Sequence, residues 1–359
     1  MIELNKFLSL IADKNAEMLH LSEGSRPALR IREELIQEDH DSISPGELRQ
    51  MLFQIMSKEK VEEFDRAGAV LFAYEDGCSR YRVSAYEHRS GVATTFKGIP
   101  SEIKTAEDLG LPSVISRLAH LPTGLVIVSG PRGSGKSSTL NAIIDEANRN
   151  RRAHIITVED PIEYIHENKN SLIDQQEVGI HTDSFASALH DASRKGADII
   201  LVSEISDAET IELALDAANN DQLVLTTVPC GPDGLIIDRI IDSFREERRP
   251  LIRSKLADAI RAVVYQVIFQ RIDKEGQCAA FEILIVRPAV RNLIREGKTF
   301  ALNSVMQTGK KYGMQILDDA LAALLNEGLI GPEDAFLKAH DKVRFRQFLK
   351  REPSDFTSI

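Results

Sequence analysis

Apolar positions follow two patterns along the chain, and the switch between them predicts two domains. In the first hundred residues short runs dominate. Ile2, Phe7, Leu8, Leu10 and Ile11 recur at helical spacing. MLHLSEG and PALRIRE read as two strands around a Gly-Ser-Arg turn, and SPGELRQMLFQIM as a helix with Pro45 in its first turn. VLFAY, YRVSAYEH and VATTFKG read as further strands, with period-two alternation clearest in the middle one. This part is α+β and carries no catalytic constellation.

Turn residues without an apolar period then mark a linker. Beyond it the apolar runs become continuous: LVIVS, HIITV, DIILVS and QLVLTT. Helical segments separate them, beginning at Lys136, near Phe185 to Ala192, and from Asp207. Uninterrupted apolar strands are those buried on both faces, and their alternation with helices predicts a largely parallel sheet. From about Asp233 the pattern reads as mostly helical, with Leu256, Ile260, Val263, Val264, Val267 and Ile268 along one long apolar face and AAFEILIV as one more strand. The expected division is an N-terminal domain over 1–98, a linker over 99–112, an α/β core over 113–285 and a helical C-terminal region over 286–359.

Composition narrows the class. With 43% hydrophobic and 28% charged residues, the 359-residue chain has enough apolar material for a sizeable core. Net charge is -11. RNRR (149–152) and REERRPLIRSK (245–255) are basic, but no aromatics are interleaved and the second carries two glutamates, so direct nucleic-acid binding is not expected. Cys78, Cys230 and Cys278 form no CxxC pair, which argues against a zinc site or a disulfide framework and fits a reducing cytoplasm. No apolar run reaches membrane-spanning length and the N-terminus lacks a signal-peptide core, so no transmembrane segment is expected.

The chemistry lies in the α/β part. GPRGSGKS, Gly130 to Ser137, matches GxxxxGK[ST] between an apolar strand and a helix. Gly130, Gly133 and Gly135 let backbone N–H groups wrap phosphates, and the helix N-terminus adds partial positive charge. Lys136 then reaches the β- and γ-phosphates of ATP, and Ser137 offers a hydroxyl to Mg²⁺. Pro131, Arg132, Ser134 and Ser138 complete the binding loop. Glu204 ends the run Ile199 to Val202, at the carboxyl edge of the sheet where ligands bind. Ser206 and Glu209 have the spacing of a capping box for the next helix, which leaves Glu204 for chemistry. TVEDPIEY brings a second acidic group, Glu159, Asp160 and Glu163, suited to Mg²⁺ or its waters.

The succession GPRGSGKSSTL, HIITVEDPIEYIHE, ADIILVSE, IDRIID, PAVRNLIREGK and GMQILDDAL resembles the secretion and pilus ATPases, and most of all the PilT-type retraction motors of type IV pili. The resemblance covers nearly the whole chain, and VRNLIREGK belongs to the retraction branch. It implies a PAS-like N-terminal domain followed by a RecA-like P-loop ATPase domain with a helical C-terminal region. It implies a hexameric ring in the cytoplasm, peripheral at the inner-membrane base of the pilus and working with a platform protein there. It makes Glu204 the general base, Glu163 a further catalytic acid, and Ser137, Glu159 and Asp160 the Mg²⁺ residues.

This sequence also departs from that pattern. DQLVLTTVPC stands where the family reads GHLVFGTLHT, so Gln222 and Pro229 replace both histidines. Ser203 replaces a glycine, Ser206 and Lys97 replace arginines, and Glu33-Glu34 replaces an Asp-Gly turn. Arg80, Arg82, Arg194, Arg239 and Arg271 remain as possible phosphate partners. Hydrolysis is therefore expected to be slow. The alternative is a nucleotide-binding accessory subunit, with little or no activity, that assembles into a mixed ring with an intact retraction ATPase.

Overall fold

The computed structural model describes residues 2–14, 16–31, 34–77, 79–99, 103–229 and 236–350. Internal contacts group them into two units, residues 1–102 with 163–165, and residues 103–162 with 166–359. Cys78 and Cys230 lie outside the described residues.

The first unit is a six-stranded antiparallel sheet. Its strands are β1 (Met18–Ser22), β2 (Ala28–Ile31), β3 (Glu34–Gln37), β4 (Ala69–Glu75), β5 (Arg80–His88) and β6 (Gly91–Ile99), in the order β3-β2-β1-β6-β5-β4. Alternate residues of β1 and β5 are buried, as one-sided sheets require. Leu19, Val83 and Phe96 meet Leu8 of the helix Ile2–Asp13, Leu48 and Leu52 of Glu47–Phe53, and Phe64 of Lys58–Ala67. Pro45 is not in the first turn of its helix. Gly46 takes the left-handed conformation at φ 82 as the N-cap, and the helix starts after it. β3 was not anticipated, because its apolar residues Leu35 and Ile36 are adjacent and exposed, so ELIQ shows no period-two alternation.

The second unit is built on a seven-stranded sheet of β7 (Gly124–Gly130), β8 (His154–Glu159), β9 (Leu172–Glu177), β10 (Ile199–Val202), β11 (Leu223–Pro229), β12 (Ile260–Gln270) and β13 (Gln277–Ile285). The order is β13-β12-β7-β11-β10-β8-β9, parallel throughout except for the β12–β13 pair. β7 is buried along its whole length. One core holds Ile127 with helix residues Leu215 and Leu256, and another holds Val126 and Val128 with Leu140, Ile143 and Ile144. Each such aliphatic side chain contributes about 1.5–3 kcal/mol on burial, and this fixes the strand that ends in the phosphate loop.

The helical face expected from Leu256 to Ile268 is a correction. The helix Arg249–Ala259 stops, and Ile260 begins the eleven-residue strand β12. A strand buried on both faces is apolar at nearly every position, so it also satisfies helical spacing. The β-branched residues Ile260, Val263, Val264, Val267 and Ile268 were the discriminating signal. Beyond β13 the chain is helical, and Leu317, Leu321, Phe336 and Phe345 close over Tyr265, Val267 and Phe269 of β12.

Candidate nucleotide-binding site

The phosphate loop leaves the carboxyl end of β7 and enters the helix Lys136–Asn150. Gly130 sits at φ 147, and a Cβ there would overlap the Gln266 carbonyl oxygen and lie 2.6 Å from Ser134 Oγ. Gly135, the N-cap at φ 79, would place a Cβ 2.9 Å from Gln266 Nε2 and 2.9 Å from Ile268 Cδ1. Only glycine fits either position. Gln266 also holds the helix, accepting from Thr139 Oγ1 at 2.7 Å in a buried contact. Lys136 Nζ donates to the carbonyls of Gly130 at 2.9 Å and Pro131 at 2.8 Å. The ammonium is thus held over the loop that it would serve. Ser134 Oγ is buried and has no hydrogen-bond partner among the described residues.

The acidic residues separate in the structure. Glu159, the last residue of β8, is buried, and its Oε1 accepts from Thr157 Oγ1 at 2.8 Å and Gln175 Nε2 at 3.2 Å. Asp160 is exposed and begins the turn into Pro161. Glu163 is half-buried and is grouped with the first unit. The segment is clamped where it leaves the second unit and where it returns. Ile162 N donates to Glu177 Oε2 at 3.0 Å, and His166 N donates to Gln175 Oε1 at 2.8 Å. Both acceptors lie on β9, a strand that the sequence reading missed because LIDQQE is polar and sits at the sheet edge.

Glu204 is exposed just past β10, and among the described residues its carboxylate makes no hydrogen bond or ion pair. Its backbone is fixed from both sides. Ser203 N donates to Val158 O at 2.9 Å, Ile205 N donates to Thr227 O at 3.0 Å, and Thr227 Oγ1 donates to Ser203 O at 2.6 Å. The capping box expected from Ser206 and Glu209 is not formed. Asp207 is the N-cap, accepting from Thr210 N at 2.9 Å. The conclusion drawn from that box is unchanged, because the cap is again a residue other than Glu204.

Against this geometry the comparisons with known proteins fall into place. Residues 111–282 match the family model "Type II/IV secretion system protein". The type IV pilus retraction ATPase PilT of Pseudomonas aeruginosa is 39% identical over 94% of this chain and 98% of its own. A twitching motility protein of Neisseria gonorrhoeae is 41% identical over 88% of this chain and 84% of its own. The crystal structure of the pilus retraction motor PilT with bound ADP superposes with a TM-score of 0.87 at 34% identity, covering 95% of this chain and 98% of that one. The chain belongs to the PilT-type secretion ATPase family.

As a PilT-type ATPase the chain has an ATP-binding fold, and the structure separates the two histidine positions that it has lost. Pro229 pairs with Gly130 at the phosphate-loop end of the sheet. Gln222 precedes β11 at the opposite end, where its carbonyl accepts from Gly124 N at 2.9 Å. Six strand residues, Leu223 to Val228, stand between them, so the two positions are about 23 Å apart at the usual rise. Gln222 is buried and fully engaged, accepting from Ser193 Oγ at 2.6 Å and donating to Ala197 O at 2.9 Å. It lies at the amino end of the sheet, away from the phosphate loop, and there ties β11 to Ser193 and Ala197. Arg271 is occupied by a bidentate pair with Asp273 at 2.9 and 2.7 Å.

Mg²⁺ suits this donor set. Among the described residues no three His, Cys, Asp or Glu side chains converge as a metal cage. A small hard cation that keeps several waters and takes phosphate oxygens needs only one or two protein oxygens, and Ser137, Glu159 and Asp160 carry oxygen donors of that kind.

No motif in the sequence marks His166. Its ring is buried, and Nε2 lies 2.6 Å from Asn141 Oδ1. Burial pushes its pKa down to about 4 from 6.5; nearby Asp145 opposes the shift and Lys169 reinforces it. The unfolded chain takes up this proton near 6.5, whereas the folded chain resists until about 4. Stability should therefore fall as pH drops through that window, by on the order of 3 kcal/mol, and stay level above it. Chemical denaturation of wild type and His166→Gln between pH 7 and 4 checks this. A slope equally steep in both proteins assigns the acid sensitivity to other groups.

Proposed function

We propose that this chain binds Mg-ATP and hydrolyses it as a subunit of a type IV pilus retraction motor. The observation that carries the reading is the placement of a complete phosphate loop at the end of β7 with an unengaged carboxylate, Glu204, past β10 of the same parallel sheet. Backbone N–H groups from Arg132 to Ser138 receive the phosphates. Lys136 exchanges the Gly130 and Pro131 carbonyls for β- and γ-phosphate oxygens. Glu204 accepts a proton as the water oxygen bonds to the γ-phosphorus and the bond to the bridging oxygen breaks. Ser137 with Glu159 and Asp160 would hold Mg²⁺ directly or by water, and the bound cation would supply charge neutralisation at the phosphates. Glu163 is a candidate for a supporting acidic role.

The working assembly in this proposal is a hexamer of identical subunits, or a mixed ring with a paralogue, engaging a platform protein at the cytoplasmic base of the pilus. Among the described residues no helix is long and apolar enough to cross a membrane, so membrane attachment through a partner is the route that this reading requires. Expression in a type IV-piliated strain lacking its retraction ATPase should restore twitching. A protein that hydrolyses ATP yet restores none when expressed alone would sink the homomeric motor reading. Pro229 beside Gly130 favours a second reading, an accessory subunit with slow turnover, since proline offers neither a polar side chain nor an N–H at that strand end. Recovery of twitching only when an intact paralogue is also present would select it.

A further inference from the structure

A chain of hydrogen bonds runs from the Glu159 carboxylate to the backbone of Ser137. Gln175 Nε2 donates to Glu159 Oε1 at 3.2 Å, while Gln175 Oε1 accepts from His166 N at 2.8 Å. The His166 ring then contacts Asn141 Oδ1 through Nε2 at 2.6 Å, and Asn141 Nδ2 donates to Ser137 O at 2.9 Å. Because Asn141 spends its N–H₂ on Ser137, its oxygen faces the histidine, and Nε2 carries the imidazole proton. Each amide uses both ends, so neither flips without losing two bonds.

The connection matters because the sheet does not supply it. Ser137 follows β7 and Glu159 ends β8, and β11 and β10 stand between those strands, about 14 Å of sheet at the usual strand spacing. No backbone ladder joins the two residues directly. We infer that Gln175, His166 and Asn141 are positioning residues that set the separation of Glu159 from Ser137 across the cation site. The inference rests on the Mg-ATP reading of that site. Packing alone does not explain the histidine. Nδ1 is buried without a partner among the described residues, so an apolar ring would suit the space as well. What such a ring would lose is the Nε2–H bridge to Asn141.

The test is calorimetric titration of a non-hydrolysable ATP analogue at graded Mg²⁺, with ADP in chelator as the metal-free control and thermal midpoints measured alongside. His166→Phe and Asn141→Leu should each raise the half-saturating Mg²⁺ about tenfold or more, the usual consequence of losing an outer-shell partner. His166→Gln returns an N–H at the Nε2 position and should stay within about threefold of wild type. Metal-free ADP affinity should be unchanged in all three. Folded His166→Phe and Asn141→Leu proteins with the wild-type Mg²⁺ requirement would overturn the inference. Should His166→Phe not fold, Asn141→Leu alone decides. Wild type that fails to bind the analogue at any Mg²⁺ concentration overturns the nucleotide reading first, an outcome visible before any variant is compared.

Discussion

Lys136→Ala should abolish phosphate release from Mg-ATP, with turnover at least about 10²–10³-fold below wild type, the scale of losing one preorganised charge-stabilising group. The side chain is half-buried, and its ammonium already bridges two loop carbonyls, Gly130 O and Pro131 O. Nucleotide therefore meets a positioned charge rather than a mobile one. Losing a charge-assisted contact worth about 1.5–3 kcal/mol should also weaken ATP binding by roughly 10–100-fold. The fold should survive. Val126, Val128, Leu140 and Ile143, which seat the loop between strand and helix, are untouched. Steady-state phosphate release, nucleotide titration and a melting curve on the same preparation separate these effects. A variant as active as wild type would mean that the measured hydrolysis comes from a contaminant or from a site other than this loop. Equal turnover at background level, with wild type still binding ATP, would instead select the accessory-subunit reading.

The legible part of this protein was the part in which one physical demand fixes the residue. The phosphate loop could be read because backbone wrapped around phosphate admits no Cβ at Gly130 or Gly135, and the structure places the Gln266 backbone and side chain where those carbons would be. The parallel strands β7, β8, β10 and β11 could be read because burial on both faces makes them continuously apolar. The same feature hid β12, whose largely apolar run, interrupted at Arg261 and Gln266, also fits a helix. β3 and β9 were hidden for the opposite reason, since both are edge strands and neither ELIQ nor LIDQQE alternates apolar with polar as a one-sided core strand does. That omission removed Gln175 and Glu177 from view, and with them the clamps on the acidic segment. Gln222 precedes β11 at the amino end of a parallel sheet, so strand direction alone places it away from the loop, and the register with β7 agrees.

Glu204→Gln should give the second large effect and the complementary pattern: turnover down by about 10²–10⁴-fold, the range for removing a general base, with ATP affinity retained. The change keeps size and polarity and removes only the capacity to take a proton. It should cost little stability, because the carboxylate is exposed and makes no hydrogen bond or ion pair among the described residues. The backbone bonds that hold the segment belong to Ser203, Ile205 and Thr227. Single-turnover hydrolysis beside equilibrium ATP binding distinguishes this from Lys136→Ala, which should lose both. The pair also bears on Pro229. If wild type is already slow and Glu204→Gln slows it further, the carboxylate is working and the limitation lies elsewhere, with the strand end beside Gly130 as the nearest departure from the family pattern. If Glu204→Gln leaves a measurable wild-type rate unchanged, the proton leaves by another route, and Glu204 is not the base.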